Sequence, residues 1–210
     1  MDFDVPQELL DYLAELDRFI EAEITPLQHE DDNNRFFDHR REYARTDWDN
    51  GGLPRHEWEE LLAEVRRRAD AAGHLRFGWP KELGGKGGSH LALAVIREHL
   101  ASKGLGLFND LQNEHSIVAN NPFVVLFKEF ATPEQYARDK DALLAGRMRT
   151  TFGLTEPNHG SDATFMETRA VRQDRDGRPG WLINGEKMWS TGMHVATHCM
   201  VFARTSGKDG

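Results

Sequence analysis

The hydrophobic period of this chain changes once, after Arg147, and that change limits the folds open to it. Before it, apolar residues recur at spacings of three and four. Leu9, Leu10, Leu13, Leu16, Ile20 and Ile24 form one face of a helix. Pro6 suits the first turn of that helix, and Pro26 is expected to end it. Residues 30–56 are polar and punctuated by Asp31-Asp32-Asn33-Asn34 and Asp49-Asn50-Gly51-Gly52, which predicts a long connection or a loop hiding a short helix near Phe36-Phe37. Trp58, Leu61, Leu62 and Val65 mark a second helix ending near Gly73. A third is expected from His90 to Ser102 with Ser89 as its N-cap. Glu114 to Phe130 reads as a buried helix with Pro122 at a turn or kink. Thr132-Pro133-Glu134-Gln135 carries three start signals for a last helix, which ends near Gly146.

Beyond Arg147 the apolar segments shorten and fill with Thr, Val, Phe, Trp and Met. Strands are expected over residues 148–154, 165–173, 181–184, 187–189 and 195–203. Asp174-Arg175-Asp176-Gly177-Arg178-Pro179-Gly180 and Asn184-Gly185 are hairpin signals. In residues 165–172 polarity partly alternates, as in a half-buried strand. The fold class is therefore α+β: a helical domain over residues 1–147, then the opening of a β-domain over residues 148–210.

The net charge of −9 argues against nonspecific nucleic-acid binding, which needs a basic footprint. Cys199 is the single cysteine, so no intrachain disulfide can form and a reducing compartment is expected. No apolar run approaches the length of a membrane span. Residues 1–6 lack the basic region and apolar core of a signal peptide, so the cytoplasm is the expected location.

Several arrangements that suggest chemistry have a plainer account. Gly84-Gly85-Lys86-Gly87-Gly88-Ser89 can cradle a phosphate at a helix start, but it lacks the spacing of a known phosphate loop and reads as a helix-to-helix turn. His194 and His198 lie beside Cys199, yet four residues of strand span roughly 13 Å, too far for one ion. His29, Glu30, Asp31 and Asp32 have no ligand spacing and read as a solvated loop. Glu156 and Asp162 are carboxylates on a polar turn, where such residues bond their own backbone, and a structural role is expected for both.

Two stretches remain. Leu154-Thr155-Glu156-Pro157-Asn158-His159-Gly160-Ser161-Asp162 and Asn184-Gly185-Glu186-Lys187-Met188-Trp189-Ser190-Thr191-Gly192 each end a strand in a polar turn. Thr155, Ser161, Trp189 and Thr191 offer hydroxyls, exposed amides and a stacking face, the set a planar heteroaromatic ligand needs. From spacing alone, an ordinary β-sheet rim explains them equally well.

These residues resemble the acyl-CoA dehydrogenase family. Trp79-Pro80-Lys81-Glu82-Leu83-Gly84-Gly85 is similar to its Gly-Gly turn between helices, and Ala131-Thr132-Pro133-Glu134-Gln135 leading to Leu143-Leu144-Ala145-Gly146 to its last N-domain helix. Phe152-Gly153-Leu154-Thr155-Glu156-Pro157 with Gly160-Ser161-Asp162, and residues 183–191, are similar to its two flavin signatures. The stretch Leu154 to Ser161 with Met166-Glu167-Thr168-Arg169 is similar to glutaryl-CoA dehydrogenases within the family. His159 and Ser190 depart from the usual pattern.

The resemblance implies a β-barrel-like middle domain begun here and a C-terminal helical bundle that these residues do not include. It implies FAD as cofactor and Phe152, Leu154, Thr155, Ser161, Trp189, Ser190 and Thr191 as its contacts, with Ser161 also meeting the acyl-CoA thioester. The family reaction, part of fatty-acid and lipid metabolism, removes an α-proton with a carboxylate base while the β-hydrogen leaves as hydride to flavin N5. No catalytic residue is assigned within this chain, since the expected glutamate base lies beyond Gly210. The chain is then expected to be the N-terminal part of a longer enzyme and inactive by itself. Electron-transfer flavoprotein or a similar acceptor, and a second copy in a dimer or tetramer, are the implied partners. A flavin oxidase or monooxygenase on the same scaffold, or an interaction module that keeps the fold without flavin, are the alternatives.

Overall fold

The computed structural model describes residues 4–109, 117–119 and 122–207. They form two compact units, one ending at Phe130 and the other starting at Ala131.

The first unit is helical. Helix α1 (Gln7–Phe19) buries Leu9, Tyr12, Leu13 and Leu16, the apolar face expected from spacing. Pro26 does not end it. A π-helical turn (Ile20–Ile24) leads directly into α2 (Thr25–His29), with Pro26 in its first turn. Proline has no N–H to give and needs room for its ring, and a widened turn supplies that room without breaking the chain's course. The connection after it is structured by 3-10 turns over Glu30–Phe37, interrupted where Asp31 and Asp32 take left-handed φ of 45° and 59°, and it contains the expected short helix at Phe36. Arg41 donates to Asp32 at 2.8 Å, so these acids serve a local ion pair. Short strands β1 (Thr46–Asp47) and β2 (Leu53–Pro54) pair antiparallel.

Helix α3 (His56–Ala71) buries Trp58, Leu61, Leu62, Val65 and Ala69, and Gly73 follows in the left-handed region. Helix α4 (His90–Ser102) starts at Ser89, whose Oγ accepts from the Ala92 amide at 3.1 Å. The glycine run before it is a steric necessity. A Cβ on Gly85 would lie 2.0 Å from the Trp79 carbonyl oxygen, and one on Gly88 would lie 2.1 Å from the Phe77 ring. Phe77 and the buried faces of α1 and α3 pack into one core with Ile96, Leu100 and Leu107. Helix α5 (Pro122–Phe130) is shorter than expected, with Pro122 as its first residue, where the missing N–H costs nothing. Ile117, Val118 and Ala119 are buried but not helical. Residues 114–116 and 120–121, also expected to be helical, lie outside the described residues.

The second unit opens with α6 (Pro133–Leu144). Thr132 and Gln135 make a reciprocal capping box, at 3.3 Å and 2.9 Å. Strands β3 (Thr150–Gly153) and β6 (His198–Val201) pair in parallel, and β4 (Arg169–Arg172) and β5 (Trp181–Asn184) pair antiparallel. The β4–β5 turn places Asp176 at φ 53° and Gly177 at φ 74°, the doubly left-handed turn that the Asp-Gly pair predicts. Among the described residues the strands form two-stranded sheets and no closed barrel. Two expectations fail here. Residues 187–189 are not a strand, and Asn184-Gly185 is not a hairpin turn. Gly185, at φ 152°, is a close approach instead, since a Cβ there would sit 2.3 Å from Thr168 Oγ1.

Candidate functional site

Strand β3 runs out at Gly153, and the chain then turns through Leu154 to Asp162. Phe152 lies half-buried on β3, its ring stacked 5.7 Å from that of Phe202. Glu156 and His159 close the turn with paired backbone bonds of 3.1 and 3.2 Å. Asp162 caps the following bend, accepting from the Thr164 amide at 3.1 Å, the Phe165 amide at 3.3 Å and the Thr164 hydroxyl at 2.6 Å. The Glu156 carboxylate is 3 % exposed and faces inward. It accepts from the Glu167 amide at 2.6 Å, the Thr168 amide at 2.8 Å and Lys187 Nζ at 2.8 Å. Burial by itself would raise its pKa. The Lys187 ammonium and those two amides outweigh burial and hold the carboxyl at about 2. Asp162 therefore has the local turn role expected of it, whereas Glu156 is held by amides eleven and twelve residues on and by Lys187.

The second stretch lies against the first. Lys187 Nζ also donates to the Leu154 carbonyl at 3.0 Å, the Met188 amide donates to the Thr155 carbonyl at 2.9 Å, and the Thr151 hydroxyl donates to the Thr191 carbonyl at 2.6 Å. These bonds bring Leu154 and Thr155 beside residues 187–191. Thr155 and Ser190 are half-buried and Thr191 is exposed. Trp189 is 82 % exposed and sits at φ 56°. A bulky residue in the left-handed region is strained, and such strain clusters at functional positions. Ser161 is exposed, seven residues past Leu154 in the same turn.

Lys187 is the residue that composition and spacing missed. Its signal was present as one basic side chain in a polar turn, but its partner lies 31 positions away.

Among the described residues, one group has a metal-like arrangement. Ligand atoms of Glu156, His159 and Glu167 lie within 4.8 Å of one another. His159 Nε2 and Glu167 Oε2 are 3.6 Å apart. The Lys187 ammonium already pairs with Glu156 at 2.8 Å. His194 and His198 do not join such a group among the described residues. No helix among them is long and apolar enough to cross a membrane.

The description "Acyl-CoA dehydrogenase, N-terminal domain" matches residues 6–146, and "Acyl-CoA dehydrogenase, middle domain" matches residues 151–210. A 3-sulfinopropanoyl-CoA desulfinase of Variovorax paradoxus is 35% identical over 133 residues, covering 63% of this chain and 31% of the relative. A caffeyl-CoA reductase-Etf complex subunit of Acetobacterium woodii is 30% identical over 166 residues, covering 72% of this chain and 41% of the relative. The chain thus spans less than half the length of these curated relatives. An acyl-CoA dehydrogenase of Bacillus anthracis, solved complexed with FAD, has a similar fold. Its TM-score is 0.57 at 23% identity, over 98% of this chain and 30% of that one.

Proposed function

Because the chain belongs to the acyl-CoA dehydrogenase family, we propose that it carries the helical domain and the flavin-facing rim of an FAD-dependent enzyme that desaturates an acyl-CoA thioester between Cα and Cβ. The observation that carries this reading is the set of bonds joining residues 154–156 to residues 187–188. They set the Thr155 and Thr191 hydroxyls, backbone amides and the Trp189 indole along neighbouring segments. That donor set suits the polar edge and flat face of an isoalloxazine ring. Bound FAD would supply the redox chemistry, taking the β-hydrogen as hydride.

In this reading Phe152, Leu154 and Thr155 line the ring, Trp189 packs against it, and Ser190 and Thr191 meet its edge. Ser161 reaches the thioester end of the substrate. The helical domain is residues 1–147 and the β-domain 148–210. None of the 210 residues is assigned as the base that takes the α-proton. Glu156 is committed to Lys187 and two amides, and Asp162 to the bend after it. Acyl-CoA is the substrate class, an electron-transfer flavoprotein or similar carrier the acceptor, a homo-oligomer the assembly and the cytoplasm the location.

The test is flavin content. The protein isolated at its natural length is expected to show flavin absorbance and to reduce a dye when given an acyl-CoA. Thr191→Val and Trp189→Ala are expected to lower flavin content or the reductive rate. A colourless protein that cannot be reconstituted with FAD overturns the reading. The 210-residue chain alone is expected to give no turnover, and dye reduction by it would show that the proton is taken by a residue within it.

A further inference from the structure

We infer that Glu156 and Lys187 act together as a positioning clamp, locking the 154–162 turn onto the 187–191 segment and so setting the spacing of the rim between Thr155 and Thr191. The side chains are 2 % and 11 % exposed, and 31 residues separate them. Such a pair is costly to bury. The desolvation of two ions is repaid only where geometry is good and the remaining lone pairs and protons are used. That condition is met. The carboxylate accepts from Lys187 Nζ and from the amides of Glu167 and Thr168. The ammonium also donates to the Leu154 carbonyl.

One ion pair thereby joins three segments: the turn after β3, the entry to β4, and the chain after β5. An apolar pair of similar volume would fill the same space but would not select this register, and a buried polar pair is best attested as a selector of register. The lysine stem passes over Gly153, where an added Cβ would meet Lys187 Cγ at 3.5 Å, an ordinary contact distance. Gly185 lets its own strand end approach Thr168, beside the amide that Glu156 binds. The Met188 amide, one residue past Lys187, then meets the Thr155 carbonyl. Lys187 is a positioning residue, acting through the backbone that carries Thr155 and Thr191.

The clamp can be tested apart from the flavin reading on which its use rests. Amide hydrogen exchange on the protein at its natural length reads the clamp itself, and FAD titration reads its consequence. Lys187→Met is expected to open the Met188 amide about a hundredfold more often, as expected when one partner of a buried pair is removed. The Phe165 amide, held by Asp162, should be unaffected. FAD binding should weaken about tenfold, the net worth of one hydrogen bond. The pair should also be non-additive: Glu156→Gln with Lys187→Met should cost less than the two single changes summed. Unchanged exchange at Met188 in Lys187→Met, or strict additivity, overturns the clamp. Faster exchange with unchanged FAD affinity overturns its positioning role. A wild-type protein that binds no FAD overturns the functional reading instead, and exchange alone then decides the clamp.

Discussion

Trp189 contributes little to stability, so its fold role can be separated from the flavin contact proposed for it. Its indole is 82 % exposed, so burial contributes little, and its φ of 56° carries the penalty of a Cβ in the left-handed region. Trp189→Gly relieves that penalty, about 1–2 kcal/mol, and incurs a smaller backbone entropy loss, about 0.5–1 kcal/mol. Its stability should stay within about 1 kcal/mol of wild type, whereas Trp189→Ala keeps the strain and should be less stable than the glycine variant. Chemical denaturation of the two variants checks the order. Both should lose the proposed flavin contact, so the glycine variant separates the fold requirement from the ligand requirement. The motif itself was legible in sequence. The strain was not, because no neighbour in the chain announces a positive φ at a tryptophan.

Among the elements, those closed by local contacts match expectation best. The Thr132–Gln135 box, the Ser89 cap and the Asp176-Gly177 turn each involve residues within four positions, so the sequence displays both partners at once. Thr132→Ala should cost about 1 kcal/mol while Thr132→Ser should cost little, as thermal unfolding would show. Pro26 was misjudged because its effect depends on whether a helix can widen by one residue, and the π turn over Ile20–Ile24 does so with Ile20 and Ile24 still in the core. Residues 187–189 look like a strand by composition. They make one backbone bond to Thr155 where a ladder would require several, because Lys187 is drawn inward to Glu156. Strand β5 has no buried face among the described residues, with Trp181, Leu182 and Ile183 each about half exposed, so no alternation existed to be read.

For the whole molecule, the two units should respond to acid at different points. In the helical unit His74 is 2 % exposed and shares a 3.1 Å hydrogen bond with the Tyr12 hydroxyl. Burial, and then the nearby Lys86 ammonium, push its pKa below the ordinary 6.5. The unfolded chain then binds this proton more readily than the folded one. Stability from His74 is present above pH 6.5 and declines as pH falls through that value. Glu156 behaves alike at lower pH. Its contribution is present above 4.5 and is lost between 4.5 and about 2. Unfolding of the helical unit should therefore become easier first, as pH falls below 6.5. His74→Leu should flatten that slope while lowering stability at pH 7 by about 1–3 kcal/mol, because the Tyr12 hydroxyl loses its partner. A slope unchanged in the variant would show that another group carries it.

By itself the sequence determined the helical segments, the shift to short strands after Arg147, the Ser89 and Thr132 caps, the Asp176-Gly177 turn, and the two stretches that resemble the family's flavin signatures. All of these are written in periodicity or in contacts a few residues apart. The tertiary structure alone decided that Glu156 belongs to Lys187, that Gly185 lets its segment approach Thr168, and that Thr155 lies beside residues 187–191. The physical reason is distance along the chain. A buried charge can be recognised as structural only when its counter-ion is in place, and here 31 residues and two strands of an antiparallel hairpin lie between them.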